Sequence, residues 1–264
     1  MKRRMSKITV IMLVLVLALS MAACGSNDDS GSDNANEESP LDLYNAASKK
    51  MNEVDSYSAT ADMEMAMSVQ GQSIDTSSDV DMKIVNKEEN NIEFQTKILT
   101  ESPLTEQPIE QNQYYRDGFL YTEGQGAKTK TALNMEDAIK SANSASTGEI
   151  SSDAVKEQSV TDKDGGKEVT LTLDGAKMKD QIGSAAGQLE QYGASVDDIT
   201  MSDTKLVAVI DSDGNIKSNN MEFSMTTEVQ GQEVTMDMKI NMIVEQIGGV
   251  KVEFPSDLDT YTEV

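Results

Sequence analysis

Thioethers, carboxylates and a lone thiol are the groups with which this chain could do chemistry, and their spacing decides which chemistry is open. Met occurs 17 times in 264 residues, His and Trp not at all, and Cys once. Without His, triads of the Ser-His-Asp or Cys-His type and the common histidine zinc sites are closed to it. The 46 acidic residues leave paired-carboxylate chemistry such as glycoside hydrolysis formally open. The acids fall mostly on the side of each alternating segment that would face water, however, and no aromatic platform for a sugar accompanies them. A noncatalytic chain without a cofactor is expected.

The methionines recur with period two. Met63, Met65 and Met67 form one set and Met236, Met238 and Met242 another, and a strand would turn each set to one face. Soft thioethers can take Cu(I), and Met63-Glu64-Met65 and Met236-Asp237-Met238 have the Met-x-Met form. These methionines alternate in step with Val, Ile and Phe, as core residues do, so no metal site is expected. Two apolar readings stay open: core packing, or a pocket lining that an unbranched, polarizable side chain can remould around varied ligands. The candidate hydrophobic-ligand lining is Met63, Met65, Met67, Val69, Met82, Met225, Met236, Met238 and Met242. Asp211-Ser212-Asp213-Gly214-Asn215 invites a calcium reading, but an EF-hand loop needs Gly at its sixth position and Glu at its twelfth. A hairpin turn is the better account, as it is for Asp162 to Gly166.

Periodicity names the elements that must position these residues. Ser39-Pro40-Leu41-Asp42 reads as a helix start, with Ser39 as N-cap and Pro40 in the first helical position. Tyr44, Ala47, Met51 and Val54 then form one apolar stripe. From Tyr57 the period changes to two, through Met63, Met65, Met67 and Val69; Gly71 turns the chain, and Ile74 to Ile84 and Ile92 to Ile98 continue an antiparallel meander. Val69-Gln70-Gly71-Gln72 recurs as Val229-Gln230-Gly231-Gln232, each between Met-rich alternating runs, which predicts two hairpins of one sheet. Asp117-Gly118 marks a tight hairpin, and Val250, Val252 and Phe254 suggest a last short strand. Roughly ten or eleven strands are expected. Two helices interrupt them, one from Met135 capped by Asn134 and a longer one through Met178, Ile182, Leu189 and Tyr192.

The N-terminus carries an address. Lys2, Arg3, Arg4 and Lys7 precede an apolar run from Ile8 to Leu19, the pattern of a secretory signal and shorter than the ~20 residues that span a bilayer. Leu19-Ser20-Met21-Ala22-Ala23-Cys24 resembles the lipobox of bacterial lipoproteins, with Met21 where Leu, Val or Ile is usual. That resemblance implies residues 1–23 as a removed signal and a diacylglyceryl thioether on Cys24, placing the chain at the extracytoplasmic face of the cell membrane. Two acyl chains suffice for stable anchoring. Residues 24–39 then read as the lipidated Cys and a polar tether, too poor in apolar side chains to offset the entropy of ordering. Losing the signal removes 4 of the 22 basic residues and no acid, which takes the net charge from −24 to −28. Such a surface repels nucleic acid and anionic lipid heads.

Residues 40–264 read as one domain whose order of elements resembles the LolA, LolB and LppX/LprG superfamily. The segments Asp55-Ser56-Tyr57-Ser58, Tyr114 to Thr122 and Asp211 to Ile216 resemble those of uncharacterised Met-rich lipoproteins of Gram-positive bacteria. The resemblance implies an α+β fold: a strongly curved antiparallel sheet, an incomplete β-barrel, with helices covering its concave face. It further implies binding or transfer of a lipid or acyl chains beneath those helices. The competing expectation is an envelope protein-interaction or sensory module with a filled core and no ligand.

Overall fold

The computed structural model describes residues 38–69, 71–88, 91–135, 138, 149–179, 199–229 and 232–264. The signal, Cys24 and most of the tether lie outside the described residues, as do most of the residues of both expected mid-chain helices. Only the first residues of each expected helix are described. The Ala138 N–H donates to the Asn134 carbonyl at 2.9 Å, and the Asp174 carboxylate caps a turn by accepting from Ala176 N–H at 2.9 Å.

Helix α1 (Pro40–Glu53) begins as the sequence predicts. The Ser39 hydroxyl accepts from Asp42 N–H at 3.1 Å and the Asp42 carboxylate accepts from Ser39 N–H at 3.3 Å, a reciprocal capping box with Pro40 just inside it. Leu41, Tyr44, Ala47 and Met51 bury the apolar stripe.

The strands are β1 (Ser56–Val69), β2 (Gln72–Glu88), β3 (Asn91–Glu101), β4 (Ile109–Arg116), β5 (Phe119–Gly124), β6 (Ala127–Ala132), β7 (Val155–Lys163) and β8 (Gly166–Leu173). They continue as β9 (Thr200–Met201), β10 (Thr204–Ile210), β11 (Ile216–Val229), β12 (Gln232–Ile247) and β13 (Thr262–Glu263). All belong to one sheet, in the order β13-β6-β5-β4-β3-β2-β1-β12-β11-β10-β8-β7, with β9 beside β11. Two meanders therefore meet at the β1–β12 pair. The two hairpins with the repeated turn sequence, β1–β2 and β11–β12, lie side by side at its centre, as expected.

The expected barrel is corrected. The ends of the sheet, β13 on β6 and β7 on β8, do not pair with one another, so the α+β sheet is open and is neither closed nor strongly curled. It is also of mixed direction, because β13 runs parallel to β6. The described residues give 13 strands rather than ten or eleven. Val250 to Phe254 is not a strand.

Nor does a set of helices cover a concave face: α1 is the one substantial helix among the described residues. Its length explains its reach. A helix of 14 residues is ~21 Å long, about four strand spacings of ~4.8 Å. It contacts four strands, β7, β8, β10 and β11. Leu41 N–H donates to Gln158 Oε1 of β7 at 3.0 Å, and at the other end Lys50 Nζ donates to the Asp213 carbonyl in the β10–β11 turn. The Asn45 side chain exchanges two hydrogen bonds of 2.9 Å with the backbone of Ile150. The helix is thus fixed over one wing of the sheet.

Turn chemistry sets the meander. Asp117 and Gly118 have φ of 52° and 82° between the paired residues Arg116 and Phe119, a two-residue turn whose twist suits a hairpin. Gln125 and Gly126 repeat it at 50° and 79°, and this second turn adds β6, one of the strands the sequence did not announce, since Gln-Gly is a weaker signal than Asp-Gly.

Gly175 opens the turn capped by Asp174. A Cβ on Gly175 would collide with the carbonyl oxygens of Met201 and Ser202. Gly175→Ala should therefore lower the unfolding free energy by roughly 1–3 kcal/mol, the usual cost of overpacking, read from the urea midpoint. An unchanged midpoint would show that the β9–β10 turn gives way freely.

Candidate functional site

Residues directly opposite on neighbouring antiparallel strands share a face, so the register assembles the methionines into rows. In the first row Met67 of β1 lies opposite Met236 of β12, Met236 opposite Met225 of β11, and Met225 opposite Met201 of β9, with Ile74 of β2 beyond Met67. In the second, Met65 lies opposite Met238 and Met238 opposite Phe223. The six methionines are buried, from 2% exposed at Met238 to 9% at Met201. Rows on one face recur every second residue, ~7 Å along the strand, so the six form one continuous thioether patch.

The other candidates lie on the same side of the sheet. Met63, half-buried and opposite Ile240, and Val69, also half-buried and opposite Val234, continue the patch by one row at either end, whereas Met242, buried between Ala61 and Asn219, and Met82, buried between Ala59 and Thr96, stand apart from it. Met201 was missed by sequence reading. Its strand is two residues long, too short for alternation to register.

The opposite face is polar. Its larger cleft, about 610 Å³, is bordered by Glu64, Asp75, Ser77, Glu101, Asp237 and Lys239. Ala66, Ser102 and Pro103 also border it. A second cleft of about 350 Å³ continues along the same face past Asp62, Lys205 and Glu222. Of the methionine lining only Met65 borders the larger cleft. Among the described residues no group of three or more His, Cys, Asp or Glu could hold a metal ion.

Asp211 is occupied as a turn residue. Its Oδ1 accepts from the N–H groups of Asp213 at 3.0 Å and Asn215 at 2.9 Å. Burial pushes its pKa up, but these amide bonds outweigh burial and hold the carboxyl below its ordinary value.

Farther along the polar face the C-terminal segment crosses β4 to β6. Phe254 packs on Tyr114 with ring centres 6.3 Å apart and lies under the Arg116 guanidinium at 5.0 Å. Tyr261 meets Tyr121 edge-on at 5.6 Å and donates to Glu123 Oε2 at 3.1 Å. Lys128 binds Asp257 at 2.8 Å and Glu123 at 3.2 Å, with its ammonium 5.4 Å from the Tyr261 ring. Hydrogen bonds to Asp257 and Glu123 raise the Lys128 pKa, and the same bond to Lys128 lowers that of Asp257. This cluster closes the polar side of that wing, so the expected strand at Val250 to Phe254 is replaced by a packed strap.

Residues 39–259 match a family described as a family of unknown function, DUF6612, and the chain belongs to that family. No curated protein matches it in sequence. Among solved structures it is similar to LprF from Mycobacterium bovis, at 12% identity and a TM-score of 0.41 over 82% of this chain and 96% of that one. It is also similar to a domain assigned as an outer membrane lipoprotein-sorting protein from Vibrio parahaemolyticus, at 11% identity and 0.26 over 83% and 96%. A structure titled for lipid–protein interactions in lipovitellin gives 8% identity and 0.34 over 76% of this chain and 26% of that one. The likeness to the lipoprotein-sorting fold is thus distant and points to no particular homologue. At such identities and scores it says nothing of activity.

Burial, followed by the hydrogen bond to Glu123, pushes the Tyr261 phenol up to about 12 from its ordinary 10.0. A pKa raised in the folded state means that folding favours the protonated form. The strap's contribution to stability should be complete below pH 10 and fade as the pH rises toward about 12. Tyrosinate absorbance, taken as the difference between the chain and Tyr261→Phe, checks this, and Glu123→Gln should move the titration back toward its ordinary value.

Proposed function

We propose that this chain is a noncatalytic, lipid-anchored extracytoplasmic protein that binds or transfers a hydrophobic ligand, a lipid or acyl chains, against the methionine face of its sheet. The observation that carries the reading is the patch of Met65, Met67, Met201, Met225, Met236 and Met238 on three neighbouring long strands and β9. Unbranched thioether side chains can change rotamer without leaving the face, so such a surface can open around a flexible chain and close after it. The required affinity is modest, because a lipid leaving a bilayer gives up an environment already apolar and the site need only match it per methylene. No described helix is long and apolar enough to cross a membrane. Attachment is assigned to acylated Cys24, with residues 1–23 removed, residues 24–39 as tether and residues 40–264 as the binding domain.

The burial of these methionines favours a second reading, a filled core whose clefts on the opposite face engage an envelope partner. One experiment separates the two. The chain without residues 1–23, purified without detergent, should carry lipid in native mass spectrometry and take up fluorescent fatty acid. A consistently empty protein that also refuses the fatty acid would leave only the partner-binding reading.

Anchoring has its own test. Cys24→Ala should shift the chain from the membrane fraction to the soluble fraction. Retention in the membrane would point to an uncleaved N-terminal helix instead.

A further inference from the structure

Strand β7 ends the sheet, paired with β8 alone, whereas the other end is occupied by β13 beside β6. Every residue of β7 from Lys156 to Lys163 is exposed. Val160, opposite Val169 on the apolar side of the sheet, is one of three large apolar side chains exposed among the described residues. Such an edge presents a row of unpaired N–H and C=O groups to any strand that fits it.

Which groups are free follows from the turn. Asp164 and Gly165, with φ of 49° and 81°, join Lys163 to Gly166 in a two-residue hairpin, whose flanking pair exchanges both backbone hydrogen bonds. Exchanging and non-exchanging pairs alternate along an antiparallel ladder. Thr161 and Ser159 therefore also bond to β8, and the backbone groups of Asp162, Val160 and Gln158 point away from the sheet.

A second β7 running antiparallel must bring those three positions opposite one another. Centred on Val160, the crossing sets the two Val160 side by side and Gln158 opposite Asp162 in both directions, which pairs all the free groups. Glu157 then falls opposite Lys163, and Lys156 opposite Asp164, each pair occurring twice with opposite signs. A slip of one residue would oppose Lys156 to Lys163 and Glu157 to Asp162, like charge on like, and would aim free groups at occupied ones. Within one copy Lys156 already binds Asp203 and Lys163 binds Glu168, but an ammonium has three donors and can take a second carboxylate. The net negative charge of each copy opposes approach, yet at physiological ionic strength it is screened beyond ~8 Å, whereas these pairs stand one strand spacing apart.

The crossing also leaves room for α1, whose Leu41 N–H donates to the Gln158 side chain. The two Gln158 would lie four residues apart along the paired strands, ~14 Å, more than the ~10–12 Å width of a helix.

We infer that the β7 edge is an interaction surface for a second copy of this chain, which adds its own β7 antiparallel about a twofold axis at Val160 and extends the sheet. The pairing does not depend on whether the methionine face takes a ligand.

Val160→Cys in the full chain, expressed in cells, tests the crossing. Residues that exchange both bonds have Cα atoms ~5.5 Å apart, within the roughly 4.4–6.8 Å that a disulfide spans. Mild oxidation should give a linked dimer well above the background of two controls: the unaltered chain, whose one cysteine is Cys24, and Asp213→Cys in the exposed β10–β11 turn. Adding Glu157→Lys or Lys163→Glu to Val160→Cys makes two attractive pairs repulsive and should cut the yield roughly 10-fold. Co-expressing those two variants should restore it, because each altered charge then meets the other across the axis. Equal linkage from Val160→Cys and Asp213→Cys means chance collision and overturns the inference. Linkage that neither charge change lowers, or that co-expression fails to restore, overturns it as well.

Discussion

The pairing of β1 with β12 is the interaction on which the rest of this structure depends. It joins residues 165 to 190 positions apart, Tyr57 with Ile247 at one end and Val69 with Val234 at the other, and among the described residues it is the only strand pairing between the two meanders. Because side chains alternate, a slip of one residue would send a whole strand's apolar set to water. Met65 opposite Met238 and Met67 opposite Met236 would then be replaced by methionine against Asp237. The register is held by burial on one face, and on the other it sets opposite charges across from one another, Glu64 opposite Lys239 and Lys239 opposite Glu222.

That register also divides the labour of the two faces. The side of Met65, Leu171 and Leu206 is apolar and buried, and α1 covers the wing at β7, β8, β10 and β11. The other side is polar, with small Ser, Thr and Ala side chains between the charges, and it holds both clefts. At β4 to β6 the polar side is closed by the C-terminal strap, through the contacts of Phe254 and Tyr261. The edge strand β7 stays open to water but carries Lys156, Asp162 and Lys163, charges that discourage pairing with a chain that does not complement them.

Much of this was legible because strand alternation and capping are local signals. Ser39 to Asp42 announced α1, Met63 to Val69 announced β1, and the repeated Val-Gln-Gly-Gln turns announced two hairpins of one sheet. Closure and cover were not legible, since both depend on distant partners. Nothing in Thr262-Glu263 says that it will run parallel to β6, and alternating Val250, Val252 and Phe254 could equally pair with a strand or pack as a strap. The candidate lining was located by face but not by grouping. Period two put Met82 and Met242 on the right side, whereas only the register shows that they stand apart from the six-methionine patch and that Met201 belongs to it.

The residue chosen for the patch carries the remaining argument. Val, Ile, Phe and Tyr are the side chains that fit a pleated, half-buried surface best, and β8 and β10 fill the same face with branched residues, Val169 and Ile210 beside Leu171 and Leu206, all buried. Beside them, β1, β12 and β11 place methionine at positions where a β-branched residue would pack with less loss of rotamer freedom. Met specifies a core poorly because it is flexible. A fold held only for its own stability gains nothing from that substitution across two adjacent rows. A face that must part for a chain of variable shape gains the one property that Ile and Val lack, which is the freedom to refill the space when the chain has gone.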